Sequence, residues 1–354
     1  MNRTTMAVLT SGGDAPGMNA ALVALVKTAS ASGWSVIGVE DGYDGLMDGR
    51  WRPLLSTDVD DYARDGGTFL RSARSEAFRT SEGRQQAAVR LRNAGCSVLV
   101  VIGGNGSLTG AHIFGEESGI HVVGIPASID NDIACTSLCI GVDSAVNSIV
   151  EACDKISDTA RSHRRAFIVE VMGRECGYLA MASAIASSAD AVLFREQGKE
   201  ESQLVDELKS VIRHAYSEVR NKRRVLIIKA EGVDVSTASL AEKLESTMQT
   251  ETNGATLRYT ILGHVVRGGR PSALDRIIGS RMGFAAAQLA IEGHTQIMVG
   301  WRPYEQGEST QDPRVCYFAL EKVLADTKRL LDGTHPTTKE RLEMLAQVQN
   351  ILLL

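Results

Sequence analysis

The run SVLVVI at 97–102 is apolar on both faces of any strand it forms, and it ends abruptly in GGNGS at 103–107. A strand of that kind cannot sit at a surface. It needs a cover on each side, which is the situation of a parallel sheet with helices above and below. The same unit recurs along the chain. MAVLT (6–10), SVIGVE (35–40), HVVGIP (121–126), AFIVEVMG (166–173), AVLFRE (191–196), RVLIIKAEG (224–232), LRYTILG (257–263) and QIMVG (296–300) are all short apolar runs. Longer stretches with helical apolar spacing separate them, at about 18–32, 85–95, 147–160, 201–219, 238–249 and 272–293. Two further helical segments, 313–332 and 337–352, end the chain, and DGYDGLMDG after the second run reads as turns. Strands alternating with helices predict a layered, Rossmann-like α/β fold with mostly parallel sheets. This many strands exceed the usual size of one compact open sheet, roughly 4–6 strands. Two such domains are expected, with the active site in the cleft between them.

Composition excludes several classes. The chain has 354 residues, 44% of them apolar and 23% charged, with a formal net charge of −5. That balance argues against non-specific nucleic-acid binding, so an anionic ligand has to be met by local clusters of cations. The six cysteines form no CxxC pair, and Cys135 and Cys139 have no His or Cys set to complete a zinc site. They read as reduced thiols of a cytoplasmic protein. The N-terminal stretch lacks the long apolar core of a signal peptide, and no run approaches the ~18 apolar residues of a membrane span.

Ligands of open α/β sheets bind at the carboxyl ends of the strands, so the loops there carry the chemistry. Ser11-Gly12-Gly13-Asp14 follows the first strand and Gly103-Gly104-Asn105-Gly106-Ser107 follows SVLVVI. Glycine turns that lead into helices let backbone N–H groups approach an anion closely, and these two suit a polyphosphate. Alone, such a turn is more often structural. Neither is a P-loop or a GxGxxG fingerprint. In Ser128-Ile129-Asp130-Asn131-Asp132 two carboxylates stand two apart, one placed to take a proton from a hydroxyl and the other to help hold a metal; the plain alternative is a solvated turn. Arg174, between glycines after a strand, can offset charge on a transferring phosphoryl group. His264 and Arg267 beside Gly268-Gly269, with Arg258, Arg164 and Arg165, suggest a sugar-phosphate pocket. GGTFLRSAR (66–74) adds Arg71 and Arg74, as a phosphate contact or as an exposed basic loop.

Together these stretches resemble the glycolytic type of the phosphofructokinase family. LTSGGDAPGMNAAL, GGTFLRSAR, VIGGNGSLTGA, GIPASIDNDI, IGVDSA, SHRRAFIVEVMGRECGYLA and ILGHVVRGGRPSALDR occur in the family's order between residues 9 and 276. The resemblance implies transfer of the γ-phosphoryl group of MgATP to the 1-hydroxyl of fructose 6-phosphate. Gly12, Arg74, Gly106 and Ser107 would contact the donor's phosphates. Asp130 would be the general base, assisted by Ser128, Asp132 and Arg174. Met172, Gly173, Glu231, His264 and Arg267 would bind the sugar phosphate, and Arg165 and Arg258 would reach that of a neighbouring subunit in a homotetramer. Residues 1–141 with about 266–312 would form the nucleotide-binding domain, and 142–265 with about 313–354 the sugar-phosphate-binding domain.

Family members use ATP or pyrophosphate. Gly106 and Ala127 resemble the ATP users, because pyrophosphate users usually carry Asp and Lys there. Two departures stand out. Asn105 replaces the usual Asp beside Mg²⁺, which weakens the metal site by one negative charge, with Asp132 an indirect second contact. Val23 stands where bacterial members carry an effector-site Arg, with Lys27 the next cation, so control by ADP and phosphoenolpyruvate at that site is not expected. The LEMLAQVQNILLL stripe near the C-terminus reads as core or subunit contact. A kinase of altered donor or acceptor (pyrophosphate, sedoheptulose 7-phosphate) and a non-catalytic regulatory homologue remain as alternatives.

Overall fold

The computed structural model describes residues 4–73, 75–252, 254–302 and 306–352. They fall into two compact units, Met1–Ser144 with Arg267–Leu330, and Ala145–Val266 with Leu331–Leu354. In chain order the first unit holds β1 (Thr5–Ser11), α1 (Met18–Ala31), β2 (Ser35–Val39), α2 (Gly42–Asp48), β3 (Trp51–Leu54), α3 (Ser81–Asn93), β4 (Cys96–Gly103), α4 (Asn105–Ser118) and β5 (His121–Pro126). Then α5 (Val142–His163) leads into the second unit, with β6 (Arg165–Val171), α6 (Tyr178–Ala186), β7 (Ala191–Leu193), α7 (Glu201–Tyr216), β8 (Arg224–Ala230), α8 (Thr237–Glu251) and β9 (Thr256–Ile261). The chain returns to the first unit through α9 (Ala273–Ile291), β10 (Ile297–Trp301), β11 (Glu308–Ser309), β12 (Val315–Ala319) and α10 (Leu320–Leu331). Helix α11 (Pro336–Leu352) belongs to the second unit.

The first unit is built on an eight-stranded sheet, ordered β11-β12-β10-β5-β4-β1-β2-β3. Its middle is parallel, and the antiparallel strands β3, β11 and β12 lie toward its two edges. The second unit has a four-stranded parallel sheet, β7-β8-β6-β9. Its apolar core joins Ile168, Ile227 and Leu193 of the strands to Leu208 and Ile212 of α7 and Leu240 and Leu244 of α8. In β4, Leu99 through Ile102 are all 0% exposed. Each such aliphatic side chain contributes about 1.5–3 kcal/mol by leaving water, which is why the both-faces-apolar pattern found the sheet interior.

Register decides where the loops meet. Ser11 pairs with Gly103 and Gly103 with Pro126, so β1, β4 and β5 end side by side. In the second unit Val171 pairs with Ala230 and Glu170 with Ile261, which aligns the ends of β6, β8 and β9.

Besides the short strands β3 and β11, which are not among the expected strands, the structure departs from the sequence reading in four places. DGYDGLMDG contains a helix, α2, with Tyr43 and Leu46 buried. The segment 313–332 is a strand followed by a helix, because VCYFA finds an antiparallel partner in β10. AVLFRE pairs as a strand only to Leu193, and after the extended Phe194 it coils into a short 3₁₀ turn. Helix α6 (YLAMASAIA) had no visible period because most of its residues are buried.

A buried carboxylate ties the first unit together beneath the loops. Asp275, 0% exposed, accepts hydrogen bonds from the amides of Gly141 (2.8 Å) and Ser144 (2.7 Å) and from the Ser144 hydroxyl (2.7 Å). The Ser144 hydroxyl accepts from the Ser272 amide (2.8 Å), and the Ser272 hydroxyl caps α9. Burial pushes the Asp275 carboxyl above the usual aspartate range, while the Ser144 and Gly141 donors pull it back. An Asp275→Ala variant strands two buried amides without an acceptor. It should cost about 3 kcal/mol, seen as a fall in thermal midpoint of about 6–12 °C. An unchanged midpoint would show that water substitutes for the carboxylate.

Candidate active site

Three loops of the first unit leave the aligned ends of β1, β4 and β5. The Gly12 backbone is left-handed, φ +89°, and a Cβ there would lie 3.1 Å from the Ser107 hydroxyl. The contact is tightened by a hydrogen bond from Ser107 Oγ to Ser11 Oγ (2.9 Å). A Cβ on Gly103 would come within 2.5 Å of the Ser11 carbonyl. The two glycine loops therefore touch through backbone, and side chains at these points would push them apart. Ser72 fastens the outer side by donating to the Gly12 carbonyl (2.7 Å).

Gly104 precedes α4 in an extended conformation and supplies no capping side chain. The first-turn amides of α4 thus have no side-chain acceptor, and the helix dipole adds positive potential there. Below them, the buried Tyr43 hydroxyl donates to the Ser107 carbonyl (2.6 Å) while its ring stacks on Phe78 at 4.0 Å. Gly106 is different from its neighbours. It is exposed, its φ is not positive, and a Cβ there meets nothing within 4 Å. The fold has no use for glycine at this position, where glycine costs a helix about 0.5–1 kcal/mol relative to alanine.

In the SIDND loop Ile129 and Asn131 are 0% exposed, while Ser128, Asp130 and Asp132 are half-buried and the Oδ1 of Asp130 is itself a buried atom. Asn131 was not singled out from sequence, yet it shapes this loop. Its φ is +51°, its side-chain amide donates to the Ser137 carbonyl (3.1 Å), and its Oδ1 accepts from the Cys139 amide (2.9 Å). An asparagine between two aspartates is a hint of a left-handed turn, but not of its partners. The Ser128 hydroxyl donates to Asp132 Oδ1 (2.6 Å), leaving Asp130 between the two bonded residues. Asn105, the first residue of α4, is half-buried, and its side-chain amide makes no hydrogen bond among the described residues. Arg267 reaches back over the first loop and donates to the Asp14 carbonyl (3.3 Å).

Two cations are committed elsewhere. Arg71 pairs with Glu40 (2.8 Å) and Asp41 (2.8 Å) through an exposed side chain. Lys27 pairs with Asp60 (2.6 Å), and Val23 is buried in α1. Arg74 lies outside the described residues.

The second unit presents a separate group at the ends of β6, β8 and β9. Gly173 has φ +122°, and a Cβ there would stand 2.6 Å from the Cys176 carbonyl. A Cβ on Gly232 would reach 2.0 Å from the Arg174 carbonyl. The Gly232 amide donates to the Gly173 carbonyl (3.2 Å) and the Glu231 amide to that of Val171 (2.9 Å). Met172 and Glu231 are thereby held just beyond the ends of the adjacent strands β6 and β8, with Arg174 and His264 exposed nearby in sequence to the strand ends. Arg165 and Arg258 do not join this group. Arg165 opens β6, seven residues before Met172, a distance of about 23 Å at roughly 3.3 Å per residue. Arg258, exposed on β9, pairs in register with Phe167 and lies at the same remote end of the sheet. The Nε of Arg165 is buried with no hydrogen-bond partner among the described residues.

Comparison with known proteins points one way. The family model described as phosphofructokinase matches residues 5–290. The chain is 48% identical over 294 residues to an ATP-dependent 6-phosphofructokinase of Thermotoga neapolitana, covering 83% of this chain and 88% of that one. It is 46% identical over 295 residues to the enzyme of the same name from Brevibacillus brevis, covering 83% and 88%. Among solved structures it superposes on phosphofructokinase from Saccharomyces cerevisiae with a TM-score of 0.86 and 34% identity, over 99% of this chain and 50% of that one. The chain thus spans half the length of the yeast polypeptide.

The geometry at Gly106 separates a folding role from a binding role. Gly106→Ala should leave stability unchanged or raise it by up to about 1 kcal/mol, while raising KM for the phosphoryl donor about tenfold. A variant that loses stability without losing donor affinity would overturn the binding role.

Proposed function

The chain belongs to the phosphofructokinase family, and from that premise we propose that it transfers the γ-phosphoryl group of ATP to the 1-hydroxyl of fructose 6-phosphate. The observation that carries this reading is the register of β1, β4 and β5. It sets two glycine-rich loops beside the loop bearing Asp130, within one unit. Amides of Gly12 and of the first turn of α4 receive the donor's phosphates, with the Ser107 hydroxyl at their base. Asp130 takes the proton of the sugar's 1-hydroxyl; the new O–P bond forms as the bond from the γ-phosphorus to the ADP oxygen breaks, in line. Ser128 and Asp132, bonded to each other, hold Asp130's loop in place.

Arg174 offsets the charge that spreads over the γ-phosphoryl oxygens. Met172, Gly173, Glu231, His264 and Arg267 receive fructose 6-phosphate. Arg165 and Arg258 serve the 6-phosphate of a neighbouring subunit in a homotetramer. Their place at the far end of the sheet from Met172 supports that division of labour. Gly106 and Ala127, at positions where pyrophosphate users usually carry Asp and Lys, support ATP as the donor, since glycine leaves room for an α-phosphate. The enzyme works in the cytoplasm; no helix among the described residues is long and apolar enough to cross a membrane.

Among the described residues no cluster of three His, Cys, Asp or Glu side chains forms a metal cage. The oxygen donors of Asn105 and Asp132 fit Mg²⁺, which takes most of its oxygens from phosphate and water. Asn105 would meet it through its amide oxygen and Asp132 through its carboxylate or a bound water. Mg²⁺ neutralises charge on the β- and γ-phosphates when bound.

A coupled assay of fructose 1,6-bisphosphate should detect product with ATP and little with pyrophosphate; no product with ATP would overturn the reading. Asp130→Asn should lower kcat by about 10²–10⁴-fold while KM for either substrate changes little. A comparable loss shared with KM would reassign Asp130 to binding. Asn105→Asp should lower the Mg²⁺ concentration that gives half-maximal rate. An unmoved Mg²⁺ dependence would show that this side chain does not face the metal.

A further inference from the structure

One strong polar feature of the second unit is not used by the chemistry above. Lys229 is 1% exposed, and lysine is almost never fully buried unless it is paired. Its Nζ meets Glu170 Oε2 at 3.1 Å, across the register pair Glu170–Lys229 of β6 and β8, and also donates to the Ala230 carbonyl (3.3 Å). The Thr237 hydroxyl donates to the same carboxylate oxygen. The Glu170 main-chain carbonyl in turn accepts from the Leu262 amide (3.0 Å).

The order of these residues along the chain matters. Glu170 comes two residues before Met172-Gly173-Arg174. Lys229 comes two before Glu231. Thr237 is the first residue of α8, at the far end of the same 231–236 loop. Leu262 comes two before His264. One residue therefore holds the roots of every second-unit loop assigned to the sugar, and its carboxylate clamps both flanks of the loop bearing Glu231. A sheet interior closes equally well with apolar side chains, and the desolvation of a buried ion pair can exceed its Coulombic gain. Cohesion of β6 and β8 alone does not account for the pair.

We propose that Glu170, Lys229 and Thr237 are positioning residues that set the Glu231 loop against the Met172–Arg174 turn, and so tune affinity for the sugar phosphate without touching the donor. This rests on the functional reading above. The effect belongs to the second unit, whereas the glycine loops assigned to the donor lie in the first.

The test uses the full chain with steady-state kinetics in both substrates, wild type alongside. Lys229→Met should raise KM for fructose 6-phosphate about tenfold and leave KM for ATP within about twofold. Thr237→Val removes only the α8 side of the clamp; it should raise the sugar KM in the same direction, by less, with an unchanged thermal midpoint. Thr237→Ser keeps the hydroxyl and should restore the wild-type value. If Lys229→Met does not fold, the Thr237 pair decides. Sugar and ATP KM rising together, no change in either, or failure of Thr237→Ser to restore the value overturns the proposal. An inactive wild type would instead overturn the function it rests on.

Discussion

The side-by-side ending of β1, β4 and β5 is the constraint on which the first unit's site depends. Ser11, Gly103 and Pro126 lie opposite one another, so the three loops begin at one level of the sheet. Gly12, Gly103 and Ser107 then meet with no space for a Cβ on either glycine that would not disturb its neighbour. Backbone amides, unlike side chains, carry no rotamer entropy to lose when an anion arrives. The phosphate cradle proposed for these loops would thus be preorganised by the same contacts that close the sheet.

That cradle is braced from below by burial of polar groups in complete networks. Asp275 joins Gly141, Ser144 and the start of α9, and Gly279 and Gly283 of α9 lie against the backbone of α1, where a Cβ would approach within 2.7 Å and 2.2 Å. Asn131 performs the same service for the Asp130 loop. In the second unit Glu170 and Lys229 do it for the turns after β6 and β8. Each is a polar side chain in a largely apolar setting, held there by hydrogen bonds to its neighbours. Each stands just behind the residues given chemical roles.

Much of this was legible in the sequence. The both-faces-apolar runs marked nearly all the parallel strands, because such runs have few other places to go. The glycine loops, SIDND and MGR were visible as departures from the surrounding patterns. What was not legible depended on partners far away in the chain. VCYFA became a strand only because β10 lies beside it, and α6 lost its period because burial surrounds it. Arg71, read as a phosphate contact or an exposed basic loop, takes its ion-pair partners Glu40 and Asp41 from some thirty residues earlier.

Alternation of apolar runs with amphipathic segments was enough to determine the α/β class, and the ordered motifs were enough to determine the family, because both are properties of neighbours along the chain. Register, burial and pairing were decided only by the tertiary structure. The freedom of Gly106 from any packing duty, the clamp around Glu170 and the separation of Arg165 and Arg258 from Met172 each depend on distances across strands. No local pattern encodes those distances, since a one-residue slip in register would keep every motif and turn each side chain to the opposite face.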